Sequence, residues 1–312
     1  MMLARVADSL YWMGRYVERA EHISRLSSIM LNATLDRTDS GALAATIALA
    51  AVGDPDPARP ALALDAARDL VLDRADNGSV VVSLARAREN ARQVRDQITT
   101  ETWERLNLLY LRVTGPKALE AFNDDAGAYL HDIIADLHLF KGAADATMSH
   151  GEGWRFLTTG VYIERAQLIA RLLEVCFSET DHPAVSDHIA LMNLLRMACA
   201  LEPYLRVYTA DIRPKFILDF LLFNEDFPRS IRFSTQRIEE SLADISEHRG
   251  LRSEPLRIAG RLNARLKYAD LDEIEEKGAA SLLANVAAEC AQIHEAVYDT
   301  FVTYPLEFGL PA

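Results

Sequence analysis

The sequence contains little cysteine, with three residues in 312, at Cys176, Cys199 and Cys290. Their number is odd, they lie far apart, and no Cys-x-x-Cys pair occurs. These features exclude a disulfide framework and the usual cysteine spacings of a zinc site. We therefore expect reduced thiols that are mostly buried, as is typical of proteins in a reducing compartment.

The sequence also lacks long hydrophobic runs. No stretch approaches the roughly 18 apolar residues of a transmembrane helix, although half of all residues are hydrophobic. The first residues include Arg5 and Asp8 and contain no apolar core followed by a small-residue cleavage site, so we expect no signal peptide. These absences predict a soluble, cytoplasmic protein that does not associate with membranes.

Positive charge is scarce as well. Lys and Arg number 33 against 46 Asp and Glu, which gives a formal net charge of −13. Binding to a phosphate backbone needs clustered positive charge, and the basic stretch Arg86–Arg95 is interrupted by Glu89 and followed by Asp96. The composition therefore argues against a nucleic-acid partner.

Patterns typical of β-strands are missing. We find no alternating run of strand length bounded by turns, and the nearest candidate, Val80–Val82, lies at the start of a helical pattern. Apolar residues instead recur at the three- and four-residue spacing of helices. The sequence thus predicts an all-α fold, a multi-helix bundle, and we assign residues 1–312 to a single domain.

The most informative pattern is a repeat, in which Gly14–Leu26 aligns with Gly160–Leu172. Both copies lie within long helical patterns. The distance between them is too large for a short-period solenoid, so we interpret the chain as two related halves, about 1–148 and 149–312, whose Glu-Arg helices pack near each other. The identical positions are Gly14/Gly160, Tyr16/Tyr162, Glu18/Glu164, Arg19/Arg165, Ala20/Ala166, Ile23/Ile169, Arg25/Arg171 and Leu26/Leu172.

The Glu-Arg pair has an unusual position on its helix. Arg19 and Arg165 fall within apolar stripes, where a lone charge costs several kcal/mol to desolvate unless it is paired. Glu18 lies beside the first stripe, at i,i+3 from Arg15 and i,i+4 from His22, so we expect pairs along the helix. Two interpretations remain open: ion pairs that fix the packing register, or a central polar site built by both halves.

If the polar site exists, its candidate residues fall into two groups. Glutamates could act as general bases, and arginines could clamp a carboxylate or phosphate with two hydrogen bonds. The candidate catalytic residues are Glu18, Arg19, Glu164 and Arg165, and the candidate substrate-binding residues are Arg15, Glu21, Arg88, Arg92, Arg95, Glu152 and Arg229.

Several of these candidates have a plainer interpretation. The three arginines at 88, 92 and 95 could form a solvated helix face that pairs with nearby acids. Glu152 lies between two glycines at the start of a helix. This stretch is either a flexible turn or a helix end that binds an anion. It is not a phosphate-binding loop, because the lysine and the spacing of that motif are missing. Glu21 and His22 are potential metal ligands, but Gln167 and Leu168 replace them in the second copy. We therefore expect no metal and no cofactor.

Four motifs in order resemble the bacterial alpha-E domain family, which is named for its helical fold and its Glu-Arg signature. The resemblance covers nearly the whole chain. The matching stretches are Val6–Tyr16 with Glu18-Arg19-Ala20-Glu21, then Ala87–Asp96 with Glu101–Glu104, then Gly151–Phe156 with Tyr162–Ala166, and finally Phe227-Pro228-Arg229-Ser230.

This resemblance implies a functional setting. Genes of the family typically accompany a circularly permuted ATP-grasp ligase, which joins a carboxylate to an amine through an acyl phosphate, and transglutaminase-like and proteasome-like peptidases are common neighbours. The first hypothesis is therefore a non-catalytic partner of such a ligase that positions an acidic substrate or the ligase. The second is an enzyme for acyl transfer or amide hydrolysis that uses the Glu-Arg pairs, and the third is a purely structural role.

Overall fold

A computed structural model describes residues 2–35, 38–54, 62–177, 183–250, 253–269, 271, 274 and 278–303. These residues are largely α-helical, and no β-strand occurs among them. None of the described helices is both long and apolar enough to cross a membrane. The prediction of an all-α fold is confirmed.

The helices are distributed over both halves of the chain. Those of the first half are α1 (Ala4–Thr34), α2 (Asp39–Val52), α3 (Ala63–Leu72), α4 (Val80–Gln93), α5 (Thr100–Thr114), α6 (Ala118–Asp124) and α7 (Ala126–Thr147). Those of the second half are α8 (Glu152–Phe177), α9 (Pro183–Ser186), α10 (His188–Met197), α11 (Leu201–Tyr208), α12 (Pro214–Phe223), α13 (Ile231–Arg249), α14 (Glu254–Lys267) and α15 (Ala279–Val297), followed by a π-helical turn, Tyr298–Val302.

Each half contains four long helices that contact one another in the same order. In the first half α1 packs on α4, α4 on α5, α5 on α7, and α7 again on α1. In the second half α8, α13, α14 and α15 repeat this cycle. The fold therefore consists of two related bundles, as predicted, while the boundary near residue 148 and the single-domain assignment stay predictions.

Local signals start equivalent helices in the two bundles. Ser79 precedes α4, and its hydroxyl accepts a hydrogen bond from the backbone N–H of Val82. Ser230 precedes α13 and caps it in the same way, with Phe233 as the donor. A capping hydroxyl satisfies one of the backbone donors that a helix start leaves free, so the sequence fixes where both helices begin.

The two bundles meet where α1 crosses α8, at the glycines of the repeat. A Cβ added to Gly14 would lie 2.3 Å from the carbonyl oxygen of Leu157, and one added to Gly160 would lie 2.0 Å from that of Tyr11. Residues 11 and 157 occupy the same position relative to their glycines, so the contact is reciprocal. Glycine is required here because the helix backbones touch, which no side chain permits.

Candidate functional site

The Glu-Arg pairs bind each other across this crossing. Glu18 on α1 accepts hydrogen bonds from Nε and Nη2 of Arg165 on α8, at 2.7 and 2.8 Å. Glu164 on α8 accepts one from Nε of Arg19 on α1 at 2.6 Å. Each copy of the motif therefore supplies the glutamate for the other copy's arginine.

The spacing of the motif explains this geometry. Glu18 and Glu164 each lie four residues after the crossing glycine, Gly14 or Gly160, and residues i and i+4 share a helix face. Each carboxylate therefore points along the side on which the two backbones touch. The side chains of Glu18 and Arg165 are only 1% and 9% exposed, so both charges are removed from water together.

A second carboxylate enlarges the network on one side of the crossing. Glu21, fully buried, accepts a hydrogen bond from Nη2 of Arg25 at 3.0 Å and others from Arg229 and Lys141. The Lys141 ammonium also donates to Glu18 and so joins the two carboxylates. Arg229 comes from the loop before α13, which ties that helix to the same cluster.

Arg15 takes a partner that the helical spacing did not predict. We expected it to pair with Glu18, but its Nε donates to Glu164 at 2.6 Å and its Nη2 to Oε1 of Gln167 at 2.7 Å. Gln167 occupies the place that Glu21 has in the first copy. The expected pair of Glu18 with His22 is also not formed, since Glu18 bonds to Arg165, Lys141 and Arg229.

The network carries an excess of positive charge. Six cations contact three carboxylates within the described part of the chain, so positive charges exceed negative ones by three in a protein whose net charge is −13. Three of the cations, Arg15, Arg165 and Arg229, are buried. Buried cations need counter-charges, so an additional anion would be stabilised here. The cations are Arg15, Arg19, Arg25, Lys141, Arg165 and Arg229, and the carboxylates are Glu18, Glu21 and Glu164.

The same cations set the protonation of the buried groups. Burial raises the pKa of Glu18, but Arg165 and Lys141 outweigh it and hold that pKa well below its usual range. Lys141 and Arg229 likewise hold the pKa of Glu21 well below its ordinary value against the effect of burial. Both carboxylates are therefore ionised at neutral pH and hydrogen-bonded to cations, which makes them poor proton acceptors.

His22 lies fully buried beside these charges. Burial, assisted by Arg229, lowers its pKa to about 4, so the imidazole is neutral. Its Nε2 atom is buried and has no hydrogen-bond partner among the described residues. No group of three His, Cys, Asp or Glu side chains in the described ranges has an arrangement that could hold a metal ion.

A pocket of about 180 Å³ lies between α7 and α8, beside the network. We call it the α7–α8 pocket, and its polar lining comprises Lys141, Asp145, Trp154, Thr158, Tyr162 and Arg165. Two of these residues, Lys141 and Arg165, are the cations that hold Glu18. The network is therefore buried but borders a cavity.

Three predicted arginines lie outside the network. The Arg88 guanidinium stacks over Trp103 and Tyr110, at 5.4 and 5.0 Å from the ring centroids. Arg95 stacks over Trp103 at 4.7 Å. Arg92 is exposed and binds Glu89 on its own helix with two hydrogen bonds. Arg92 thus makes the expected pair with a nearby acid, whereas Arg88 and Arg95 contact aromatic rings of α5.

Glu152 also serves a different part of the molecule. It accepts a hydrogen bond from the backbone N–H of Met2 at 3.0 Å and another from Arg249 at the end of α13. The Arg249 guanidinium in turn lies 5.4 Å from the ring of Phe156. Glu152 therefore joins the start of the chain to α8 and α13, and the structure does not bring it together with Glu18.

Sequence reasoning missed Lys141, His138 and Gln167 as members of the network. His138 Nε2 lies 3.2 Å from Glu21 and Gln167 binds Arg15. A signal for Lys141 existed, because it follows Leu137 by four residues and so falls on the apolar stripe of α7. A lysine on such a stripe needs a buried partner, as the arginines of the repeat do.

An all-helical fold of two related bundles, joined by reciprocal Glu-Arg pairs, defines the class of this protein. The chain belongs to the Alpha-E family: residues 2–302 match its family model, described as a predicted alpha-helical domain with a conserved ER motif. The resemblance noted in the sequence is thereby confirmed. No solved structure matches the chain.

Three curated relatives are also similar to the chain. An uncharacterized protein of Mycobacterium bovis is 28% identical over 320 residues, covering 95% of this chain and 36% of its own length. Uncharacterized proteins from two strains of Mycobacterium tuberculosis are 28% and 27% identical with the same coverage. The chain thus spans about a third of the length of these relatives.

Proposed function

We propose that the protein is a non-catalytic partner of an amide-forming ligase of the ATP-grasp type, and that it holds the acidic substrate. In this role the helical bundles present a carboxylate, or position the ligase, while the ligase performs the chemistry. The proposal places the protein in the cytoplasm, where the ligase finds ATP.

The observation that carries the proposal is the excess of cations in the Glu-Arg network. Six cations face three carboxylates, and two of these cations, Lys141 and Arg165, line the α7–α8 pocket. An anionic ligand would restore the charge balance, and charge-assisted hydrogen bonds from lysine and arginine to a carboxylate are among the stronger ones in proteins. An acidic substrate is therefore the ligand class that the geometry supports best.

The link to a ligase comes from the family. Alpha-E proteins are the expected companions of ATP-grasp ligases, and those enzymes activate a carboxylate as an acyl phosphate. Both the substrate and that intermediate are anions, so a cation-rich site suits either. The longer mycobacterial relatives leave room for further parts beyond the region matched here.

The catalytic alternative has less support from the geometry. An acyl-transfer or hydrolytic enzyme built on the Glu-Arg pairs would use Glu18 or Glu164 to accept a proton. Both carboxylates are buried and ion-paired to two or more cations, and Glu18 keeps a pKa well below its usual range. A general base works best with a pKa near the working pH.

Co-purification tests the partnership. The tagged chain is captured from extracts of its own cells, and the bound proteins are identified by mass spectrometry. We expect an ATP-grasp ligase to be enriched with the wild type and with the Arg92→Ala control, whose side chain lies outside the network. The ligase should also consume ATP faster with its acidic substrate when the protein is present.

The result that would overturn the proposal is equally direct. A ligase that never co-purifies, and whose rate of amide formation is the same with and without the protein, contradicts a partner role. If the isolated protein instead releases or transfers an acyl group, and Glu164→Gln abolishes that activity in a folded variant, the catalytic alternative replaces it.

A further inference from the structure

We infer that the α7–α8 pocket binds a carboxylate on a short aliphatic stem, such as the side chain of a glutamate residue within a peptide. This inference deepens the proposed function and rests on it for the acidic nature of the ligand. It adds the location of the site, the groups that bind the carboxylate and the class of substrate.

The two cations of the pocket retain hydrogen-bond donors for a ligand. The Lys141 ammonium has three N–H donors, and Glu18 and Glu21 accept two of them. The Arg165 guanidinium has five, of which Glu18 accepts two and the backbone carbonyl of Pro228 one. Within the described residues, each cation therefore has at least one donor left.

Two further polar groups in the pocket wall have no hydrogen-bond partner among the described residues. The indole Nε1 of Trp154 and the hydroxyl of Thr158 are buried and make no hydrogen bond. Thr158 is only 5% exposed. A buried polar group without a partner costs about 1–3 kcal/mol, and such groups are rare in native structures. A carboxylate in the pocket could accept hydrogen bonds from both groups.

The size and polarity of the pocket favour a small ligand with an apolar part. Its volume of about 180 Å³ is about six times the ~30 Å³ that one water molecule occupies in the liquid. The side chain of a glutamate, two methylenes and a carboxylate, fills a space of this order. Phe140 and Leu157 supply apolar wall beside the cations, which suits the methylenes.

Asp145 disfavours a second negative charge on the part of the ligand that lies outside the pocket. Its side chain is 72% exposed and it lines the same cavity as Lys141. A second carboxylate beside Asp145 would be repelled, whereas the neutral amide groups of a peptide would not. A glutamate within a peptide is therefore preferred over a free dicarboxylic acid.

Titration calorimetry of the purified chain tests the assignment with defined probes. The ligand is N-acetylglutamyl amide, its uncharged counterpart is N-acetylglutaminyl amide, and glutarate and inorganic phosphate serve as the other anions. We expect saturable binding of the glutamyl probe and at least ~10-fold weaker binding of the glutaminyl probe, because charge-assisted hydrogen bonds are about twice as strong as neutral ones. Glutarate and phosphate should also bind more weakly.

Two substitutions in the pocket remove one donor each without breaking an existing hydrogen bond. Thr158→Val and Trp154→Phe should each weaken binding of the glutamyl probe about 2- to 10-fold, the effect of losing one neutral hydrogen bond. The matched control is Ser83→Ala on α4. Its hydroxyl is also buried and unpartnered among the described residues but lies outside the pocket, so its affinity should equal that of the wild type.

Any of four outcomes would overturn the inference. The glutamyl probe shows no saturable binding, the glutaminyl probe binds equally well, phosphate binds more tightly, or the pocket variants behave like Ser83→Ala. Because the titration contains no ligase, its failure leaves co-purification of the ligase untouched. Conversely, a chain that binds the glutamyl probe but captures no ligase keeps the site and loses the proposed partnership.

Discussion

The two Glu-Arg pairs of this protein begin from the same motif and end in different surroundings. Glu164 is held by Arg15 and Arg19, and next to it Arg15 stacks 5.1 Å from the ring of Trp12. Glu18 is held by Arg165 and Lys141, beside a second carboxylate and an open pocket. An arginine stacks on an aromatic ring in both copies, since Arg165 lies 4.8 Å from the ring of Tyr162. The copies differ in the further charges that surround Glu18.

The difference shows how one repeated element can carry both stability and binding. The symmetric part, two glycines and two reciprocal ion pairs, fixes how the bundles cross. The asymmetric part begins at position 21, where Glu21 attracts Lys141 and Arg229, while its counterpart Gln167 binds Arg15. The two copies thus differ at this position, where Glu21 belongs to a cation-rich cluster and Gln167 to a local pair.

The largest effect should come from removing the central carboxylates one at a time. Glu18→Gln leaves Arg165 and Lys141 without their shared partner and should lower the free energy of unfolding by about 3–5 kcal/mol. Glu164→Gln should cost less, about 2 kcal/mol, because Glu164 pairs with two cations, whereas Glu18 also lies 3.5 Å from the Arg229 guanidinium. Urea unfolding followed by circular dichroism measures both, and equal losses would contradict the asymmetry.

The symmetric part of the crossing should respond equally in both copies. Gly14→Ala and Gly160→Ala each place a Cβ against a backbone oxygen, which should cost about 3 kcal/mol of unfolding free energy. Gly142→Ala on α7 is the control, since an added Cβ there meets nothing within 4 Å and alanine is favoured by ~1 kcal/mol within a helix. A crossing that tolerates alanine at one glycine only would show that the contact is not reciprocal.

Stability should fall on acidification, and more steeply because of His22. The pKa of His22 is about 4 in the folded chain and 6.5 ordinarily. Between these pH values the unfolded chain binds a proton that the folded chain does not, so stability is lost as the pH falls from 6.5 to 4. Below about 4.5, protonation of Glu18 and Glu21 in the unfolded chain adds a further loss, since both pKa values are lowered on folding.

His22→Leu gives the first copy the residue that the second copy has at Leu168. The substitution should reduce the loss of stability between pH 6.5 and 4. His294, whose pKa burial also lowers to about 4, should retain part of the loss. Urea unfolding midpoints between pH 4 and 7 measure the effect, with the exposed His131→Leu as control. A profile unchanged by His22→Leu would assign the acid sensitivity to other groups.

The smallest effect is expected outside the crossing. Arg92→Ala removes an exposed ion pair with Glu89 on the same helix, and such pairs contribute little to stability. We expect no measurable change in the thermal unfolding midpoint or in binding of the glutamyl probe. A clear loss of binding would show that the arginine face of α4 belongs to the site after all.

Much of the candidate site could be predicted from the sequence, because the repeat marked Glu18, Arg19, Glu164 and Arg165, and the late motif marked Arg229. The partners could not be assigned, since helical spacing indicates which residues share a face and not what faces them. For this reason Arg15 was expected to pair with Glu18 on the same helix, whereas the crossing of α1 and α8 places Glu164 beside Arg15. Lys141 lies on the apolar stripe of α7, but its partners are more than one hundred residues away, so the sequence could not show what it binds.

The sequence by itself determined the helical fold, the two related halves and the position of a Glu-Arg pair on a long helix of each half. These properties follow from periodicity and repetition along the chain, which act locally. Only the tertiary structure decided that Glu18 pairs with Arg165, 147 residues away, that the cations outnumber the carboxylates, and that a pocket opens beside them. These properties depend on where α1 crosses α8, and the close packing of the two helix backbones at Gly14 and Gly160 fixes that point.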